Sequence, residues 1–133
     1  MTQLEQDLLS YLEQFLTQHC GASYEYSLSS HDGIEVYAIR KSDAKDRTCI
    51  LRVTINHNHQ QIYIPTIFIP FDMRYNGLGK ILILAIYHLG KIHSYDVFAV
   101  QLTDSFRESL LKRGAVTTDV YDTLYITEGT RLQ

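Results

Sequence analysis

The chain has 133 residues, 45% of them apolar and 20% charged, the size and composition of one compact domain spanning residues 1–133. Fifteen acidic against twelve basic side chains give a net charge of −3. No broad positive field is present to neutralise phosphates, so a general nucleic-acid binder is disfavoured, and the two Pro and seven Gly beside ten Tyr and five Phe disfavour disorder as well.

The first residues, Met1 to Asp7, lack a basic segment followed by an apolar core and do not read as a secretory signal. Thr2 with Glu5 fits a capping box, and Leu4, Leu8, Leu12, Phe15 and Leu16 recur at helical spacing until Gly21. This predicts an amphipathic helix whose apolar face packs on the domain's own sheet, a partner's groove being the alternative. Ser29 to Gly33 is a turn signal, after which Ile34, Val36 and Ala38 alternate with Glu35, Tyr37 and Ile39 as in a strand. A polar connection from Lys41 to Arg47 leads to a second strand, in which Cys49, Leu51, Val53 and Ile55 alternate with Ile50, Arg52, Thr54 and Asn56. His57-Asn58-His59 turns the chain into Gln61 to Ile69, a segment apolar on both faces that predicts a central strand covered on two sides. Pro65 removes one ladder donor from it and points to a bulge or an unpaired flank.

From Lys80 to Ile92 a dense apolar run predicts a buried helix, and its apolar core is far shorter than the roughly 20 residues that cross a bilayer. Tyr95 to Gln101 reads as a strand. Asp104 to Arg113 reads as a short helix with an acidic start and a basic end, closed by Gly114, and Val116 to Ile126 is strand material. The order is helix, three strands, helix, strand, helix, strand, which predicts an α/β (α+β) domain with a mixed sheet and helices on both faces. Cys20 and Cys49 form no CxxC pair, so a reduced cytoplasmic setting is the expectation.

The densest chemical signal is Arg74-Tyr75-Asn76-Gly77-Leu78-Gly79-Lys80, set between a buried strand and a buried helix. Two glycines let the backbone approach a ligand, and the first amides of the following helix lack partners within it. Such a turn suits a phosphate or pyrophosphate, with Arg74 and Lys80 adding charge at the rim. A nucleotide P-loop would need a Gly where Arg74 stands and a Ser or Thr at Ile81, and a dinucleotide fingerprint would need a Gly at Leu82. Neither pattern is met.

The same segment resembles the pyrophosphate loop of the GNAT superfamily of acyl-CoA-dependent N-acetyltransferases: Arg or Gln, two residues, Gly, one residue, then Gly or Ala. The similarity extends outward over residues 60–127. Ile67-Phe68-Ile69-Pro70 looks like the end of that family's fourth strand, Ile81 to Ile92 like its central helix and Tyr95 to Gln101 like its fifth strand. The Lys112-Arg113-Gly114-Ala115 turn with Tyr121 to Ile126 looks like its final helix and hairpin. The resemblance implies a centrally splayed sheet. It also implies acetyl-CoA or another acyl-CoA as co-substrate, pantetheine along Ile67, Phe68 and Ile69, and pyrophosphate on the backbone of Arg74, Tyr75, Asn76, Gly77, Leu78, Gly79 and Lys80. Transfer to an amine of a small molecule or protein would be direct, without a metal, a nucleic-acid partner or a membrane, and a homodimer is common in the family.

The departures from the family are also specific. Leu110 stands where many members carry a tyrosine that protonates the departing thiolate, and Thr103 replaces a frequent asparagine. Tyr63 occupies the place of a strand-four glutamate base; a phenol is a weak base at neutral pH, so Tyr63 is a weak catalytic candidate and packing is its default role. The N-terminal half looks reduced, with one helix and two strands ahead of the fourth-strand equivalent. A catalytically degenerate CoA-binding or interaction module is therefore the alternative. His57 and His59 lack a third metal ligand at a recognisable spacing, and His88, His93, Ser105 and both cysteines sit in no motif that activates them; Asp72, just before the loop, is a base candidate by position, with a surface turn carboxylate as its default.

Overall fold

The architecture comes from a computed structural model that describes residues 2–19, 24–29, 33–40, 47–67 and 78–131. Helix α1 (Gln3–His19) starts where the sequence places it: Thr2 Oγ1 accepts the Glu5 N–H at 3.3 Å and donates to Glu5 Oε1 at 3.0 Å. One donor left over at the helix start is thereby satisfied. Leu4, Leu8, Leu12, Phe15 and Leu16 are all buried, so the apolar stripe faces the domain's own core.

Four antiparallel strands follow: β1 (Tyr24–Ser29), β2 (Ile34–Arg40), β3 (Arg47–Asn56) and β4 (Gln61–Ile67). Strand β1 is absent from the sequence-based expectation, so the N-terminal half is less reduced than predicted. After β4 come α2 (Leu78–Ile92), β5 (Asp96–Ala99), α3 (Asp104–Lys112), β6 (Val116–Thr117) and β7 (Leu124–Ile126). The strand order is β1-β2-β3-β4-β5-β7-β6, with β4 and β5 parallel and every other neighbour antiparallel. The predicted closing strand resolves into two short ones because Thr118 to Thr123 forms a turn, in which Thr118 Oγ1 donates to Val120 O and to Thr123 O. Gly114, at φ 100°, ends the α3 connection where a Cβ would lie 2.6 Å from Gly129 O, so only glycine fits.

One buried cluster draws on all three helices and on β2, β3, β4, β5 and β7. Helices α1 and α2 touch each other and share one side of the sheet, where Ile62, Ile64, Val97, Ala99, Leu124 and Ile126 are buried. One expectation is corrected here. β4 is not equally buried on both faces: Gln61, Tyr63 and Pro65 are half-buried, alternating with the fully buried Ile62 and Ile64. On that second face Tyr63, Phe98 and Tyr125 cover one another instead, stacking across β4, β5 and β7. Among the described residues no helix is long and apolar enough to cross a membrane.

Because Leu8 has no exposed surface and sits mid-stripe, Leu8→Ala removes buried methyl groups and leaves a cavity under α1. The expected loss is about 2–5 kcal/mol of stability, read from urea unfolding. A loss below about 0.5 kcal/mol would mean that α1 is not docked through this face.

Candidate functional site

Parallel strands cannot be joined by a hairpin, and α2 supplies the crossover between β4 and β5. Their pairing runs from Gln61 opposite Asp96 to Ile64 opposite Ala99. Val100 N–H then donates to Ile64 O at 3.1 Å, the last described bond between the two segments. Beyond it β4 continues against β3 alone, with Thr66 opposite Arg52 and Ile67 opposite Leu51. The chain leaving β5 turns the other way: Gln101 takes a left-handed φ of 54°, and Leu102 N–H donates to Asp122 O at 3.1 Å. One backbone edge of Pro65–Ile67 therefore faces no described strand.

The cause is local. Between Tyr63 and Thr66 β4 advances three residues while β3 goes only from Thr54 to Arg52, so one extra residue sits at the Ile64–Pro65 step. Such a bulge tolerates a residue without an N–H. Both features read from Pro65, the bulge and the unpaired flank, are present.

Of the residues assigned to a ligand by resemblance, Ile67 closes β4, and Leu78, Gly79 and Lys80 form the first turn of α2, Gly79 and Lys80 being half-buried. The helix thus begins earlier than Lys80, and these residues offer helix-start amides rather than loop amides. Phe68, Ile69, Asp72, Arg74, Tyr75, Asn76 and Gly77 lie outside the described residues. Tyr63 lies just before the opening, but its hydroxyl donates to Gln61 Oε1 and its ring stacks on Phe98 at 5.5 Å between centroids. Leu110 is fully buried in α3. Thr103 is a helix cap, its Oγ1 accepting the Phe106 N–H at 3.4 Å, and Ser105 is exposed in the next turn.

The amino ends of the same strands carry the polar contacts. In the β3–β4 turn His57 Nε2 lies 3.0 Å from Glu5 Oε1, and His57 Nδ1 lies 2.6 Å from the Tyr95 hydroxyl. His93, after α2, lies 2.8 Å from Asp7 Oδ2. Lys91 Nζ and the Tyr125 hydroxyl both donate to Asp96 Oδ1 at 2.9 Å. Burial pushes the Glu5 carboxyl up, but hydrogen bonds from Thr2 and His57 outweigh it and hold the group below the ordinary range. His93, then Gln3, hold Asp7 low. The Lys91 ammonium, aided by Tyr125, lowers Asp96, while burial and then Asp96 raise the Tyr125 phenol. His59 and His88 are exposed, the Cys49 thiol donates to Leu51 O at 3.5 Å, and Cys20 lies outside the described residues. Among the described residues no three His, Cys, Asp or Glu are grouped to hold a metal ion. Sequence spacing could not have found the Glu5–His57–Tyr95 contact, because its members are 52 and 38 residues apart.

No known family model matches the chain, and no curated protein matches its sequence.

A depressed carboxyl stabilises the fold above its unfolded value and loses that contribution as the pH falls through the folded value. For Asp96 the reference is the ordinary aspartate value of 3.8, so the loss falls below it. The stability gap between the parent and Asp96→Asn, followed by urea unfolding from about pH 6 to about pH 3, is expected to narrow over that lower range. A gap constant across the titration would remove the Lys91–Asp96–Tyr125 contact as its source.

Proposed function

We propose that the chain is an acyl-CoA-dependent N-acyltransferase of the GNAT type, moving an acetyl group directly to an amine of a small molecule or protein. The observation that carries this reading is the opened edge of β4 at Pro65–Ile67. In the sequence it leads straight into the Arg74-Tyr75-Asn76-Gly77-Leu78-Gly79 pattern and the start of α2. The opening lies at the carboxyl end of the parallel β4–β5 pair, the end at which open α/β sheets bind ligands.

The residues suit the co-substrate. An extended backbone edge can pair with the amides of a pantetheine arm, and the helix-start amides of Leu78, Gly79 and Lys80 at the positive end of the α2 dipole suit a pyrophosphate. When bound, the co-substrate supplies an acyl thioester for the amine to attack. The chain's part is to hold and aim it: the β4 edge fixes the arm, and a backbone donor near the carbonyl favours the charge that develops there. The described side chains leave proton transfer to solvent, because the Tyr63 hydroxyl is bound to Gln61 and Leu110 is buried.

That burial favours a second reading, a degenerate member that binds CoA, or merely keeps the fold, and serves as an interaction module. Titration calorimetry with acetyl-CoA tests the shared part. Saturable binding is expected, weakened about tenfold or more by Gly79→Val at an unchanged melting temperature, since the added side chain blocks close backbone approach. No heat at about millimolar ligand, or parental affinity in Gly79→Val, would overturn the pyrophosphate assignment. Thiol release from acetyl-CoA over a panel of amines and peptides separates the two readings: release above the water blank marks the enzyme, and binding without release marks the module.

A further inference from the structure

At the amino end of the sheet three side chains from distant segments meet in a line. Glu5 stands in the first turns of α1, His57 in the β3–β4 turn and Tyr95 immediately before β5. An ionised carboxylate can only accept, so the 3.0 Å contact with Glu5 puts the imidazole proton on Nε2. Nδ1 is left with its lone pair 2.6 Å from the Tyr95 hydroxyl, and the phenol donates to it. The rings are nearly perpendicular, at 87°, so the imidazole meets the phenol by its edge rather than by stacking.

This is the arrangement of a nucleophile, a base and a group that orients the base. The neighbouring charges are committed elsewhere: Asp7 to His93 and Gln3, and Asp96 to Lys91 and Tyr125. Glu5 alone sets the tautomer. A purely structural latch has no need of access, yet the His57 side chain is 42% exposed.

We infer that Tyr95 is an activated nucleophile that takes an acyl group from an ester with a good leaving group, with His57 as general base and Glu5 as positioning residue. The Tyr95 oxygen attacks the acyl carbon as the phenol proton passes to His57 Nδ1. The bond from carbon to the leaving oxygen breaks, and His57 returns the proton to that oxygen, giving an acyl-tyrosine and the free alcohol. The site lies at the opposite ends of β4 and β5 from the opened edge and stands independently of the acyl-CoA reading.

The test is reaction of the full chain with p-nitrophenyl acetate, followed by nitrophenolate release and by peptide mass mapping. A single acetyl group is expected on Tyr95 ahead of the other tyrosines, and Tyr95→Phe abolishes it. His57→Gln slows the reaction roughly a hundredfold. The pH–rate profile of His57→Gln differs in shape from that of the parent. Glu5→Gln slows the reaction and alters the pH profile, and Glu5→Asp restores part of both. His57 lies in an exposed turn, and melting curves check that each variant is folded; His57→Asn replaces any that is not. Acetylation of Tyr95 no faster than of the other tyrosines, or a folded His57 variant with the parental rate and profile, would overturn the assignment and leave the contact as a latch.

Discussion

The arrangement rests on one parallel strand pair in an otherwise antiparallel sheet. Pairing β4 with β5 in parallel requires a crossover, and that requirement fixes where α2 begins, where it ends and which side of the sheet it covers. The helix comes down hard on the pair near its C-terminus. A Cβ at Gly90 would lie 3.0 Å from Val97 Cγ2 and 3.1 Å from Ile62 Cδ1, so the small residue permits the close approach to both strands. With the pair pinned there, β4 and β5 are free to part only at the other end, and the Pro65 bulge and the left-handed Gln101 part them.

The amino end is closed by backbone and side chains together. Tyr95 N–H donates to Gly90 O at 2.7 Å and Asp96 N–H to Gln60 O at 2.9 Å, so the turns before β4 and β5 are locked to each other and to α2. Glu5 and Asp7 then tie α1 to both turns through His57 and His93. Polar contacts of this kind contribute little beside the five buried apolar residues of α1, which carry about 1.5–3 kcal/mol apiece. The histidine contacts therefore set the rotation and height of α1 on the sheet, and the apolar stripe holds it there.

Local patterns were legible in the sequence, and long-range polar contacts were not. The Thr2–Glu5 cap, the α1 stripe, the extent of α3 and the flaw at Pro65 each follow from residues within a few positions of one another. Strand β1 was readable in principle, since Tyr24, Tyr26 and Leu28 alternate with Glu25, Ser27 and Ser29. Its one glutamate, its two serines and its place at the sheet edge mute the hydrophobic signal. The second face of β4 is hard to read for a related reason: Tyr63 counts as apolar in a pattern, but its ring stacks on Phe98 of the neighbouring strand and stays half-buried. At the opened edge, the sequence pointed to the position through Pro65 and the two glycines, while the parting of β4 from β5 depends on the course of a chain some thirty-five residues further on.

What Leu110 means for the proposed acyl transfer is a question of magnitude. A positioned acid for the leaving group contributes roughly 10²–10⁴ in rate, or about 3–5 kcal/mol. Holding the two reactants in line supplies up to about 7–11 kcal/mol. The first contribution needs a proton donor at the opening, which a fully buried leucine cannot provide. The second needs only a rigid edge and a fixed helix start, and those follow from the pinned β4–β5 pair. A thiolate is, in addition, a stable leaving group that can depart without a proton at neutral pH. Leu110 also anchors α3 in the core, so in the proposed transfer its burial would lower the attainable rate while leaving the framework for positioning intact.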